Sequence, residues 1–215
     1  MDTNNNALFI FGGSSTALEI AEAVAFQNPE FKKYFVVGNG EALPDNSSIR
    51  DEDLEKFIIS LTSQKYFILS QSDHKVRSRC LEAARKLSLK PHTVIHPKAF
   101  VSGSAQLGAG VYVAAQSVVS SGAVVGEHSM LNMGMVFGHD ASCGMHFIGS
   151  PGCVVGGNVH MGNNVFMGAN SFVYQGLEVG NDVQVDALTY IYKNIQDRKL
   201  CSNRNLTVVN RVFIA

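Results

Sequence analysis

One pair of neighbouring side chains has the makings of acid–base chemistry: His139 and Asp140, in the segment FGHDAS. An imidazole beside a carboxylate can take a proton while the carboxylate orients the ring and stabilises its charged form. The same two residues also suit an exposed turn, with Asp140 as the turn former. Residue type alone leaves both readings open. A second feature lies near the start, where IFGGSSTA follows an apolar run and opens a stretch of helical spacing. Backbone amides of Gly12, Gly13 and Ser14 can there hold a phosphate at a helix N-terminus.

The element that must position His139 is a repeat. Written in sixes from Ile95, the chain gives seventeen hexads without insertion, and fourteen of them begin with Val, Ile, Leu or Met. The exceptions, Phe137, Cys143 and Gly149, are consecutive and bracket His139, as expected where a site interrupts a regular pattern. A six-residue period held this long predicts a solenoid in which three hexads complete one coil. Leading aliphatic residues point inward, and the small second residues are expected where the chain bends. Coils stack about 4.8 Å apart, so residues 18 apart in sequence become neighbours. By that rule His146 lies over His128 with Asn164 beyond, and His160 lies between Ser142 and Glu178. The first set admits a metal reading, but no third histidine completes a triad, and no metal is expected. The second reads as a surface polar ladder.

Residues 1–94 have a different grammar. ALFIF, YFVVG and YFIL read as buried strands, and STALEIAEAVAFQ, DEDLEKFIISL and DHKVRSRCLEAARKLSL as helices, the first with Leu18, Ala21 and Ala25 on its apolar face. Strands alternating with helices predict a small Rossmann-like α/β domain with a parallel sheet. The expected organisation is an α/β domain over 1–94, an all-β solenoid over 95–196 and a tail over 197–215.

Composition excludes several classes. Apolar residues make up 46% and charged residues 16%, with a formal net charge of −1. There is no basic block, which argues against nucleic acid as a partner. No apolar run is long enough for a membrane span, and the start lacks the basic region of a secretory leader. Cys80, Cys143, Cys153 and Cys201 form no close pair and fit a reducing, cytoplasmic setting.

Together IFGGSSTALEIAE, TVIHPKAFVSGSAQLG and LNMGMVFGHDASCGMHFIGSPGCVVGGNVHMGNNVFMGANSFV resemble the left-handed β-helix (hexapeptide-repeat) acyltransferases. The likeness is to the sialic-acid O-acetyltransferase and bacillosamine-type sugar N-acetyltransferases. It implies a left-handed coil, a homotrimer, and acetyl-CoA as acetyl donor. It further implies His139 as general base with Asp140 beside it, and the Gly157 amide as holder of the acetyl carbonyl. Gly157 should also leave the thioester's approach clear, so a β-branched replacement is expected to block the donor without moving His139. Ala169 and Ala187 would line the pantetheine channel, Asn132 the acceptor pocket, and the Gly12–Ser14 turn the nucleotide of a nucleotide-linked amino sugar. Ile148 falls where a second histidine often meets the thioester. Thr16 replaces a histidine, Asn39 replaces an acidic residue, and LCSNRNLTVVNRVFIA replaces a C-terminal Gly-x-Pro-Ala-Lys element. The implied function is acetyl transfer to the amine of such a sugar, for surface glycan synthesis. The alternatives are O-acetylation of a sugar hydroxyl, or a non-catalytic sugar-nucleotide-binding β-helix.

Overall fold

The computed structural model describes residues 6–38 and 47–203, and the backbone of 207–210. Asn39, and all side chains beyond Asn203, lie outside the described residues. The chain divides into two compact units, 1–97 and 98–215.

The first unit is a parallel sheet with helices. Its strands are β1 (Ala7–Phe11), β2 (Lys32–Val37), β3 (Ser48–Arg50), β4 (Lys65–Leu69) and β5 (Lys90–Pro91), in the order β3-β2-β1-β4-β5. Every residue of β1 is buried, as befits a central parallel strand covered on both faces. The expected strands are present, and the short β3 and β5 flank them. Helix α1 (Ser15–Gln27) buries Ala17, Ile20, Ala23 and Val24. Its apolar face is therefore rotated from the expected one, and Leu18 is 43% exposed. DEDLEKFIISL forms a single 3-10 turn followed by α2 (Leu54–Ile59). Helix α3 (His74–Lys86) starts where Asp73 accepts from the Val76 N–H at 2.9 Å, and it carries Arg85 and Lys86 in its last turn. On its inner face Arg77 is buried and donates to the Gln71 carbonyl at 2.6 Å. Burial lowers its pKa to about 10, so it keeps its charge at neutral pH.

The second unit is the solenoid. Each hexad contributes a two-residue parallel strand, and registers such as Val119↔Phe137↔Val155 step by 18 residues. Sheet one holds Phe100–Val101, Val118–Val119, Val136–Phe137, Val154–Val155, Phe172–Val173 and Tyr190–Ile191. Sheet two holds Gln106–Leu107, Val124–Val125, Ser142–Cys143, His160–Met161 and Glu178–Val179. Sheet three includes Tyr112–Val113, Met130–Leu131, Ile148–Gly149, Phe166–Met167 and Gln184–Val185.

Three expectations need correction. The bend is taken by the fourth residue of the hexad, not the second. Gln116, His128, Asp140, His146, Asn158, Asn164, Asn170, Asp182 and Leu188 all have φ between 52° and 61°. Second-position glycines are small for clearance: a Cβ on Gly138 would come within 2.6 Å of backbone in the coil above.

Two of the three irregular hexads, those led by Phe137 and Gly149, have a packing cause. Phe137 is fully buried and meets Phe147 edge-on at 5.8 Å, while the space before Gly149 is taken by Met135 and Cys153. Large and small side chains exchange volume there, so these exceptions do not by themselves mark a site.

The hexad register also ends early. Ile195 bridges Val179, and Gln184 and Val185 pair with Leu200 and Cys201, 16 residues on. The coil thus shortens by two residues, and Lys199–Ser202, expected in the tail, is a strand of sheet three.

Candidate active site

Three edges run along the solenoid where the sheets meet, and they differ in whether their outward amides are spoken for. On the edge between sheets two and three, Met145 N–H donates to Asn163 Oδ1 (2.8 Å), Asn163 N–H to Asn181 Oδ1 (2.9 Å) and Asn181 N–H to Asp197 Oδ1 (2.8 Å). Side chains close that edge. The edge between sheets one and two carries His139, Gly157 and Gln175 at the same hexad position, and none of them caps the amide below. Among the described residues, no acceptor lies on the Gly157 N–H, although its neighbour Asn158 donates to the His139 carbonyl at 2.9 Å.

His139 and Asp140 sit on this second edge, with side chains 59% and 62% exposed. Asp140 takes the left-handed conformation (φ 55°), which Asp tolerates better than most residues. That turn brings its Oδ2 to 3.0 Å from His139 Nδ1. With Nδ1–H donating to the carboxylate, Nε2 carries the ring's lone pair. Nε2 faces Gly157: a Cβ built there would land on it, 2.6 Å from Cε1 and 2.9 Å from Cδ2. Gly157 therefore makes room for the imidazole itself. The expectation that a β-branched residue there would leave His139 in place is wrong, because the ring occupies that space.

The remaining candidates are dispersed. Ala169 and Ala187 lie one above the other on the edge between sheets three and one, where Leu188 N–H meets the Ala169 carbonyl at 2.9 Å. Asn132 shares that edge, but its carboxamide donates to the Gly149 carbonyl at 2.9 Å and so serves the coil. Ile148 is 1% exposed and has no side-chain surface to offer a cofactor.

In the first unit, Gly12 adopts φ 124°, and its N–H is committed to the Val36 carbonyl at 2.8 Å. It serves the turn rather than a ligand, since a Cβ would land on Ser70 Oγ. Among the described residues, no acceptor lies on the N–H groups of Gly13 and Ser14 at the start of α1, while Thr16 is half-buried in its first turn. Beside the carboxyl ends of β1 and β2 is a cavity of about 440 Å³. Phe11, Val36 and Leu54 line it together with Gln71, Arg79 and Asp51. It lies where open parallel sheets bind ligands, and its size suits a nucleoside. Sequence reading missed Gln71, Arg79 and Asp51. Their one signal was position: Gln71 just after the third expected strand, Asp51 at the start of the second expected helix and Arg79 within the third.

The imidazoles of His128 and His146 stack at 5.6 Å, and Asn164 Nδ2 donates to Asp182 Oδ1 at 3.0 Å in the next coils. His160 Nδ1 is 2.8 Å from Ser142 Oγ. Among the described residues, no group of three or more His, Cys, Asp or Glu is arranged to hold a metal.

No protein-family model matches the chain, and neither does any curated protein. Solved structures match over nearly its whole length. A mutant of perosamine N-acetyltransferase from Caulobacter crescentus, in complex with CoA and GDP-perosamine, is 22% identical with a TM-score of 0.85, covering 95% of this chain and 97% of that one. The acetyltransferase domain of PglB from Neisseria gonorrhoeae, in complex with acetyl coenzyme A, is 24% identical with a TM-score of 0.81, covering 95% and 100%. WeeI from Acinetobacter baumannii is 16% identical with a TM-score of 0.86, also covering 95% and 100%. The likeness fixes the fold: an α/β unit followed by a left-handed parallel β-helix.

Proposed function

We propose that this protein is an acetyltransferase that moves an acetyl group from acetyl-CoA to the amine of a nucleotide-linked amino sugar, in the building of a surface glycan. The observation that carries this reading is the exposed His139–Asp140 pair with Nε2 turned to Gly157, whose own N–H meets no acceptor among the described residues. A base beside a fixed donor is what acyl transfer from a thioester requires. Two solved structures of the same fold hold CoA with GDP-perosamine and acetyl-CoA, which supports the choice of donor and acceptor.

His139 Nε2 takes the proton from the attacking amine as the C–N bond forms. Asp140 Oδ2 stabilises the imidazolium, and the Gly157 N–H donates to the carbonyl oxygen as it gains charge. The C–S bond then breaks, and Nε2 returns its proton to the departing thiolate. In the first unit, Gly13 and Ser14 at the start of α1 hold the phosphates of the sugar nucleotide, and the cavity at β1 and β2 holds its nucleoside.

A homotrimer belongs to the same proposal. The outward residues of sheet one form an unbroken apolar column: Phe100, Val118, Val136, Val154, Phe172 and Tyr190, with Phe100 61% exposed. Covering it with like copies would remove that surface from water. Sedimentation equilibrium tests this, and a stable, fully active monomer overturns it. A cytoplasmic setting is supported by the four cysteines, which lie scattered along the sequence with no close pair. No helix among the described residues is long and apolar enough to cross a membrane.

The deciding experiment offers purified protein acetyl-CoA and a panel of sugar nucleotides bearing amines or hydroxyls, following thiol release. Acceptor-dependent release with an amine bears the proposal out. Release only with a hydroxyl acceptor moves the activity to O-acetylation. No release with any acceptor, despite tight sugar-nucleotide binding, makes the chain a binding protein.

A further inference from the structure

We infer that Gly122, one coil below the His139–Asp140 pair, is a positioning residue that sets the Asp140 carboxylate against the imidazole. The inference deepens the acetyltransferase reading and rests on it for the catalytic consequence alone. The two carboxylate oxygens have separate neighbours. Oδ2 is 3.0 Å from His139 Nδ1. Oδ1 lies over Gly122: a Cβ built there would land on it, 3.3 Å from the Asp140 Cγ and 3.6 Å from the Asp140 N. Asp140 has little room to retreat, because its N–H is tied to the Ser121 carbonyl at 2.9 Å. The pair is thus seated between two positions without side chains, Gly157 against the ring and Gly122 against the carboxylate.

Backbone conformation alone does not account for a glycine at 122. Its φ is +67°, the value common to fourth positions, where Gln116, Asn158 and even Leu188 are accommodated. Gly134 (φ +67°) and Gly176 (φ +71°) sit at equivalent positions, and a Cβ on either meets nothing within 4 Å. Gly122 shares their strain and differs in facing a carboxylate. Gly134→Ala is therefore a control with the same backbone cost and no contact.

The test uses the full chain in four forms besides wild type: Gly122→Ala, Gly134→Ala, Asp140→Ala and the Gly122→Ala/Asp140→Ala double variant. Long-range ¹H–¹⁵N spectra of the imidazoles, with His139 assigned from His139→Ala, read the pair directly and need no activity. The His139 ring signals of Gly122→Ala are expected to move to those of Asp140→Ala, while Gly134→Ala keeps the wild-type signals. Melting should fall more in Gly122→Ala than in Gly134→Ala, and adding Asp140→Ala should recover the difference, since the clash is then gone. In acetyl transfer, kcat of Gly122→Ala should drop at least about tenfold, a part of what a general base is worth, with KM for the sugar nucleotide unchanged. Wild-type ring signals in Gly122→Ala overturn the inference. So does a double variant that stays unfolded, like Gly122→Ala, while Gly134→Ala folds. A wild-type protein with no transfer activity overturns the acetyltransferase reading instead, and the ring spectra still decide the role of Gly122.

Discussion

The thioether of Met135 occupies the space in front of Gly149 that an inward side chain would fill, with its Cε 2.9 Å from where a Cβ would stand. Restoring an aliphatic residue there would satisfy the hexad pattern and overpack the interior. Gly149→Val should cost about 1–3 kcal/mol, and combining it with Met135→Ala should recover part of the loss. Urea denaturation of both variants checks this. A Gly149→Val protein as stable as wild type would refute the packing account.

His139→Ala should lower kcat by roughly two to four orders of magnitude, the usual worth of a general base. Melting should stay at the wild-type value, because the ring is mostly solvent-exposed and outside the core. A variant keeping more than a third or so of turnover would remove His139 from the chemistry.

Asp140→Asn keeps a residue suited to the left-handed turn and an oxygen able to accept from Nδ1, but it removes the charge that steadies the imidazolium. We expect kcat to fall by less than in His139→Ala, with KM for the sugar nucleotide little altered. Steady-state kinetics at saturating acetyl-CoA measures this. An unchanged kcat would leave Asp140 as a turn residue only.

Burial pushes the Cys143 and Cys153 thiols from the ordinary 9.0 up to about 12, and that of Cys201 to about 11. The folded chain then keeps protons that the unfolded chain releases near pH 9, so the unfolded state binds fewer protons above that pH. Stability contributed by the neutral thiols is complete below pH 9 and declines as the pH rises towards 11–12. Melting measured from pH 8 to 11 should fall more steeply in wild type than in Cys143→Ala/Cys153→Ala. At pH 8 a thiol reagent should modify native protein rapidly at Cys80 alone, the one cysteine that is not buried.

The solenoid was legible because a translational repeat converts sequence spacing into distance. The 18-residue rule put Gly157 next to His139, His146 on His128 and His160 beside Ser142, and each adjacency is present. Packing and backbone angle do not follow from a period. Met135 filling the place of a side chain at Gly149 is a matter of volume between different hexad positions. The bend at the fourth residue is hidden because Gln116 and Leu188 share it with Asn and Asp. IYKNIQ keeps the leading aliphatic residue of the hexad, yet Ile195 takes the inward place two residues early. In α1 the apolar residues are too evenly spread to tell the buried face of Ile20 and Val24 from the exposed side of Leu18. The carboxylate's seat on Gly122 needed coordinates, because a glycine at a bend has an ordinary explanation until its neighbour is seen.

The strand Lys199–Ser202 is followed by Thr207–Asn210, which pairs with it antiparallel on the far side from Gln184–Val185. Every earlier rung of that sheet is parallel, and a parallel rung is an open template on which the first coil of another molecule can seat. A reversed strand at the growing end presents the wrong direction for that. End-to-end growth into filaments, the hazard of any stack of identical coils, is thereby blocked on one of three sheets by a single chain reversal. A chain cut after Asn203 would regain a bare parallel edge, and with it a propensity to form fibres at high concentration.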